Sequence, residues 1–258
     1  MVRNKPLRTC IVGAGRMARA LLSSLPRDIV IPTHMYSRSS RLEYTLDNDV
    51  LPWSTFPQIP EDTDVIFLAV PDDAIHGVSS EMIGDTDVIV IHHSGAGALE
   101  LIDERYERKG VLWPIQSLDS DVPSLGGVPL IYDGSNDEVV GLLSDICSII
   151  SDVYHCCDVH RRRRLHMGAV LSNNFSHHLL EITSELCKEI GLDAGEMYGP
   201  IMSDLLDDFH AGRLEGQQTG PAIRRDHATM DSHLEALEDE DLKRLYRAIS
   251  TSIIKRNS

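Results

Sequence analysis

Leu7-Arg8-Thr9-Cys10-Ile11-Val12-Gly13-Ala14-Gly15-Arg16-Met17-Ala18 is the stretch whose reading decides the fold. An apolar segment, Leu7 to Val12, runs straight into G-x-G-x-x-A. An amphipathic segment with Met17, Leu21, Leu22 and Leu25 follows, and Pro26 ends it. Strand, glycine turn and helix in this order form a backbone that cradles a dinucleotide diphosphate. Gly13 permits the tight turn, Gly15 leaves room for phosphate oxygens, and Ala18 lets the helix pack close to the strand. The free N–H groups and the positive dipole end of the helix then face the anion. The spacing predicts a nucleotide-binding turn at Gly13, Ala14, Gly15, Arg16 and Met17; a purely structural strand–turn–helix is the alternative.

The first half alternates strands and helices. Thr33 to Tyr36, Asp64 to Val70, Asp87 to Ile91, Val111 to Trp113 and Val128 to Tyr132 read as strands. The run D-V-I-F-L-A-V is near-continuously apolar, as a central parallel strand is. Helices fall around Asp73 to Ile83 and Ala98 to Tyr106, and Trp53 to Pro60 reads as a loop. This pattern predicts an α/β fold with a doubly wound Rossmann sheet over residues 1–134. Residues 135–258 read as all-helical. Ser135 with Glu138 forms a capping box for a helix to about Ile150, and Asp158 opens a long helix to Ile190 that Gly191 closes. Asp193 with Glu196 starts a helix to about His210, and two more run from Asp226 to Leu237 and from Asp239 to Ile254.

Composition excludes several classes. The 258 residues carry a net charge of −16, which disfavours nucleic acid and anionic membranes as partners. No apolar run reaches the roughly 20 residues of a membrane helix. Met1 to Pro6 leads directly to the first strand without a signal-like apolar region, so the expected location is cytoplasmic. The 5 cysteines form no C-x-x-C and read as reduced thiols. The 12 histidines show no metal-ligand spacing, so no metal site is expected.

Further motifs fall where strands end. After the second strand, Ser37, Arg38 and Ser39 offer hydroxyls and a cation but no acid. That suits a ribose 2′-phosphate and points to NADP (NADPH) rather than NAD. Ala69, Val70 and Pro71 end the next strand and are expected to line the nucleotide cleft, with Ser94 beyond the strand after it. On the long helix, Arg162, His166, Asn173 and His177 fall within about 60° of one another in a stripe about 22 Å long. Phe175, Leu179, Ile182 and Leu186 take the opposite side. Such polar groups polarise a carbonyl or protonate a developing alkoxide; a solvated face is the alternative. In Gln217 to Asp226, Thr219 sits in a Thr-Gly-Pro turn, and Arg224 suits a bidentate grip on a carboxylate.

Taken together, GAGRMARALLSSL, YSRSS, DVIFLAVPDDAI, HHSGAGAL, WPIQSL, HMGAVLSNNFSHHLLEI and QQTGPAIRRD resemble the Rossmann-like oxidoreductases with a C-terminal domain of unknown function (DUF2520-type). These belong to the clan of 6-phosphogluconate and hydroxyisobutyrate dehydrogenases and pyrroline-5-carboxylate and ketopantoate reductases. The resemblance implies an N-terminal NADP domain, a helical C-terminal domain, a substrate cleft and a homodimer built largely on the helical half. Hydroxyacid dehydrogenases of the clan place a catalytic Lys three residues before an Asn-Asn pair. Here the pair is Asn173-Asn174 and the Lys position is Val170. Helix geometry offers His166, one turn upstream, as the acid instead.

These readings converge on an NADP-dependent reductase of a small carbonyl or imine carboxylic acid, with ketopantoate the first substrate to consider. His166, Asn173 and His177 are the candidate catalytic residues, and Arg162, Asn174, Thr219 and Arg224 the candidate substrate contacts. The alternative is a regulatory or scaffold protein that holds NADP without turnover, and Val170 is its best support.

Overall fold

The computed structural model describes residues 5–36, 45–46, 49–50, 53–54, 58–118 and 124–257. The chain divides into two compact units, Met1–Ser176 and His177–Ser258.

An eight-stranded sheet carries the first unit. Its strands are β1 (Leu7–Val12), β2 (Val30–Tyr36), β3 (Trp53–Ser54), β4 (Val65–Leu68), β5 (Ile89–His92), β6 (Lys109–Pro114), β7 (Leu130–Gly134) and β8 (Tyr154–Cys156). They lie in the order β3-β2-β1-β4-β5-β6-β7-β8. Neighbours from β3 through to β6 pair in parallel; β7 runs antiparallel to β6, and β8 is parallel to β7. A separate hairpin joins Thr45–Leu46 to Asp49–Val50. Strand order reverses at β1, which has β2 on one side and β4 on the other. In open α/β sheets ligands bind at the carboxyl ends beside such a reversal.

Period-two alternation splits the core into two layers. Ile11, Phe67, Ile91 and Leu112 face helix α1 (Arg16–Ser24) and helix α3 (Asp137–Ile150), which bury Leu21, Leu22, Leu142 and Ile146 against them. Cys10, Val12, Ile66, Leu68 and Val90 face helix α2 (Ile75–Glu81), which buries Ile75 and Val78 there. A third cluster, Val111, Trp113, Ile131 and Cys157, lies under Ala169 of helix α4 (Val159–Ala169). Burying one such aliphatic side chain is worth about 1.5–3 kcal/mol.

Local chemistry departs from the sequence reading at four points. The N-cap of α3 is Asn136, whose side chain accepts from Val139 N, whereas Ser135 Oγ donates to Glu107 O and accepts from Lys109 N. Only a 3-10 turn, Leu99–Leu101, forms in the segment expected to be helical to Tyr106, because Asp103 N is taken by Ser79 Oγ. Edge strand β8 and the short β3 were not expected from their mixed polarity. The reversal of β7 makes the sheet mixed rather than wholly parallel.

The long helix starts as expected, with Asp158 accepting from Arg161 N. A π-helical turn, Val170–Phe175, interrupts it before helix α5 (Ser176–Glu189), and Gly191 follows at φ +74°. The second unit holds helices α6 (Ala194–His210), α7 (His227–Ala236) and α8 (Glu240–Arg256), capped by Asp193, Asp226 and Asp239. Among the described residues no helix is long and apolar enough to cross a membrane.

At the reversal, Gly13 N donates to Tyr36 O (2.7 Å) and Ala69 N donates to Val12 O (2.8 Å). Gly13 has φ +124°, and a Cβ there would lie 2.1 Å from the Ala69 carbonyl oxygen. Gly13→Ala is therefore expected to destabilise the first unit by about 3 kcal/mol, read from urea or thermal unfolding.

Candidate functional site

A cavity of about 360 Å³ opens at the carboxyl ends of the parallel strands. Gly15, Arg16 and Met17 line it from the end of β1 and the start of α1. Ala69, Val70, Pro71 and Asp72 come from beyond β4, His93 from beyond β5, and Trp113, Pro114, Gln116 and Leu118 from the end of β6. A larger cavity, about 690 Å³, lies at the opposite end, lined by Leu7, Asp64, Ile89, Arg108 and Asp137 among others. Its size does not make it the better candidate. It faces the amino ends of the strands, away from the reversal, and carboxylates dominate its polar lining.

The glycine turn fits a diphosphate. Gly15 is the N-cap of α1 with no side chain capping the helix and no acid in the first turn. A Cβ on Gly15 would meet nothing within 4 Å, so the fold itself does not require glycine there, in contrast to Gly13. Glycine at position 15 keeps the approach to the helix N-terminus open, which is what an anion needs. Gly13 N is spent on Tyr36 O, and the residues of this turn that line the cavity begin at Gly15. Ala14 sits in the turn between them. Ser37, Arg38 and Ser39 lie outside the described residues.

Behind the cavity wall a hydrogen-bonded brace fixes the segment after β5. Ser94 is buried; its Oγ donates to Asp72 Oδ2 and accepts from Gly97 N (2.8 Å). Ser94 N donates to His92 Nδ1 (3.1 Å), and His92 Nε2 donates to Ala98 O (3.1 Å). Ser94, expected against the cofactor, thus orients the wall instead of lining it. Burial pushes His92 down to about 4, against the opposing effect of its bond to Ala98. His93 Nδ1 donates to Leu112 O (2.7 Å), and its ring stacks on Phe67. Burial pushes His93 down to about 3. Both rings are neutral in the fold.

The long helix reaches this segment in sequence order. Arg162 is wholly buried. It donates from Nη1 to Asp133 Oδ2 (3.1 Å) and Cys157 O (3.1 Å), and from Nη2 to Gly97 O (2.6 Å). Both of its Nη atoms are bonded internally and the side chain is wholly buried, so Arg162, expected as a substrate clamp, here holds the Gly97 segment and does not line the cavity. Arg163 Nε adds a bond to Ala96 O (2.9 Å). One turn later His166 packs on Trp113, with ring centroids 5.6 Å apart. Gly95 lies flat against both rings; a Cβ there would be 2.5 Å from Trp113 and 2.6 Å from His166. Asn173 Nδ2 donates to Ser117 Oγ (2.8 Å), beside the cavity residues Gln116 and Leu118. Asn173 and Asn174 both lie in the π turn and are exposed. A wheel of 100° per residue fails across such a turn, which carries more residues per turn than an α-helix.

So the structure brings His166 and Asn173 to the end of β6, and leaves His177 out of that group. His177 belongs to the second unit, is 72% exposed, and pairs with Glu181 (3.6 Å). Thr219 and Arg224 lie exposed in the turn before α7, where the following Arg225 adopts φ +55°. Phe175, Leu179 and Leu186, the apolar side of the long helix, are also exposed. Sequence reasoning missed Asp72, His93, Trp113 and Gln116. Each lies within four residues of a strand's carboxyl end, and that position was the available signal.

Because His92 and His93 are neutral when folded but titrate near 6.5 when unfolded, the unfolded chain binds more protons as pH falls from 6.5 toward 4. Stability is therefore full above pH 6.5 and declines below it, by up to about 1.4 kcal/mol per pH unit for each ring. Urea midpoints at pH 7.5 and 5.0 are expected to differ less in His93→Phe than in the wild type.

No curated protein matches the chain. Residues 128–253 match the family described as a domain of unknown function, DUF2520. Among solved structures, the chain is similar to a candidate NADP oxidoreductase of Bacteroides fragilis, with TM-score 0.76 and 23% identity over 97% of this chain and 99% of that one. It is similar to a protein of Thermotoga maritima, with TM-score 0.70 and 21% identity over 96% and 98%. Pyrroline carboxylate reductase of Plasmodium falciparum, solved with NADP bound, gives TM-score 0.53 and 12% identity over 97% of each chain. These likenesses agree with the strand order: the chain has a Rossmann-type fold, and its residues 128–253 match the DUF2520 family.

Proposed function

We propose that the chain is an NADP-dependent reductase of a small carbonyl or imine carboxylic acid. The observation that carries this reading is one cavity bordered both by the open N-terminus of α1 at Gly15 and by Trp113, against which the His166 ring packs at a tilt. A helix N-terminus without a capping side chain and an imidazole thus lie along the same strand ends. The names of similar structures, a candidate NADP oxidoreductase and an NADP-bound pyrroline carboxylate reductase, support the cofactor and the reaction class.

In this reading Gly15, Arg16 and Met17 hold the diphosphate, Ser37, Arg38 and Ser39 hold the 2′-phosphate, and Ala69, Val70 and Pro71 form the apolar wall. When bound, NADPH supplies a hydride to an electrophilic carbonyl or iminium carbon. His166 delivers a proton to the oxygen or nitrogen of that group, and Trp113 and Gly95 fix its ring. Asn173, tethered through Nδ2 to Ser117, presents its Oδ1 as an acceptor, which suits an iminium N–H or a substrate hydroxyl. Arg162 holds the Gly95–Gly97 segment beneath them through Gly97 O. Val170, where the clan's hydroxyacid dehydrogenases carry Lys, opens the π turn and leaves the proton to His166.

We also propose that a second copy of the chain covers the helical unit. Met197, Ile201, Leu205 and Phe209 repeat every four residues along α6 and are all exposed, Ile201 by 64%. Such a contiguous apolar stripe marks an association surface, and closed two-fold pairing is the commonest way to cover one.

Titration calorimetry is expected to show NADPH binding to the wild type. Gly15→Ala is expected to leave the melting temperature unchanged while abolishing that binding. With a panel of 2-keto acids, ketopantoate first, and cyclic imines, NADPH absorbance is expected to fall, with kcat reduced about 100-fold in His166→Ala and less in Asn173→Ala. Binding without turnover of any substrate would instead favour the scaffold reading. Ile201→Asp combined with Leu205→Asp is expected to convert a dimer to a monomer in sedimentation velocity; a wild type that sediments as a monomer would refute the pairing.

A further inference from the structure

The crevice has a polar anchor that the cofactor reading leaves unused. Asp72 lines the cavity just beyond β4, in a 3-10 turn that starts after Pro71. Its Oδ2 accepts from Ser94 Oγ, and among the described residues its Oδ1 has no hydrogen-bond partner. The brace behind it is over-determined. Ser94 Oγ is oriented by Gly97 N, and Gly97 O is held in turn by the buried Arg162. One oxygen of a well-held, acceptor-only group therefore remains available at the wall of a cavity.

The strand order says what that oxygen meets. From β2 through β1, β4 and β5 to β6 the crevice crosses four strand spacings, about 19 Å. That length suits an extended dinucleotide laid across the strand ends. With its diphosphate at the N-terminus of α1, the next moiety toward β5 and β6 is the second ribose, and the ring lies beyond it. Asp72 stands at β4, between the two. A carboxylate there repels phosphate and demands donors, and a ribose with both hydroxyls free supplies a vicinal pair.

Resting on the dinucleotide reading above, we propose that Asp72 accepts hydrogen bonds from the hydroxyls of the nicotinamide-side ribose, and that Ser94 holds it in place for that task. This gives the chain carboxylate–diol recognition at β4.

Two cofactor fragments without the nicotinamide isolate this contact: 2′-phospho-ADP, which ends at the diphosphate, and 2′-phospho-ADP-ribose, which adds the second ribose. Calorimetry on the full chain is expected to give about tenfold tighter binding for the second fragment. In Asp72→Asn the gain is expected to vanish while 2′-phospho-ADP affinity stays within twofold of wild type. Asp72→Glu is expected to keep part of the gain, and it serves in place of the Asn variant should circular dichroism show that one unfolded. Absence of the gain in wild type overturns the proposal, as does its persistence in Asp72→Asn or an equal loss for both fragments. If neither fragment nor NADPH binds the wild type, the dinucleotide reading itself falls.

Discussion

The contact on which the first unit depends is the meeting of β1 and β4 at Gly13. The chain leaves β1 with its next N–H bonded to Tyr36 O of β2, while Ala69 N, just past β4, bonds back to Val12 O. Both neighbours of β1 are thus tied to the same two residues. Only a residue without a side chain fits, because a Cβ would run into the Ala69 carbonyl and the backbone stands at φ +124°. From this clamp α1 departs with its first residues lining the crevice, and the buried Ala18, Leu21 and Leu22 seat it on the sheet. Two glycines of one motif hence do different work: Gly13 keeps the strands together and Gly15 keeps the approach open.

A second level of order is polar. His92, Ser94 and Asp72, with the Gly97 backbone and the buried Arg162, form a chain of bonds that makes the loop after β5 a fixed wall. Neutral imidazoles suit this role, since His92 accepts at one nitrogen and donates at the other, which a doubly protonated ring cannot do. Breaking the Arg162–Asp133 pair would leave an unpaired charge in the interior, so the guanidinium holds the site by necessity as well as by position.

Much of this was legible in the sequence. Local signals succeeded where one residue decides an outcome: G-x-G-x-x-A gave the turn, D-V-I-F-L-A-V gave the central strand, and Asp158, Asp193, Asp226 and Asp239 each capped a helix where expected. They failed where the outcome depends on distant partners. Nothing near Arg162 announces Asp133 or Gly97, so a buried brace looked like a surface clamp. Three-residue β8 has a mixed pattern because it is an edge, and its pairing with β7 is a tertiary fact. The apolar side of the long helix and of α6 is exposed in a single chain, so a rule that places such faces inward could not settle where they point. Of the candidate site, the glycine turn after β1 was readable, as was the helix that carries His166 and Asn173 to the end of β6. The wall residues Asp72 and His93 were not singled out, although both stand in quoted segments, because their partners Ser94 and Leu112 lie far away in sequence.

The antiparallel β7 has an effect on where reactive groups can be placed. A helix that follows a strand in a wholly parallel sheet starts at the carboxyl edge and descends away from it. Here β7 and β8 point the other way, so α4 ascends. Its first turns lie deep, with Arg162 against β7, and later residues surface at the rim beside β6, His166 before Asn173. Inverting this pair of edge strands thus delivers side chains from a remote stretch of sequence to the one edge where an α/β sheet admits small molecules.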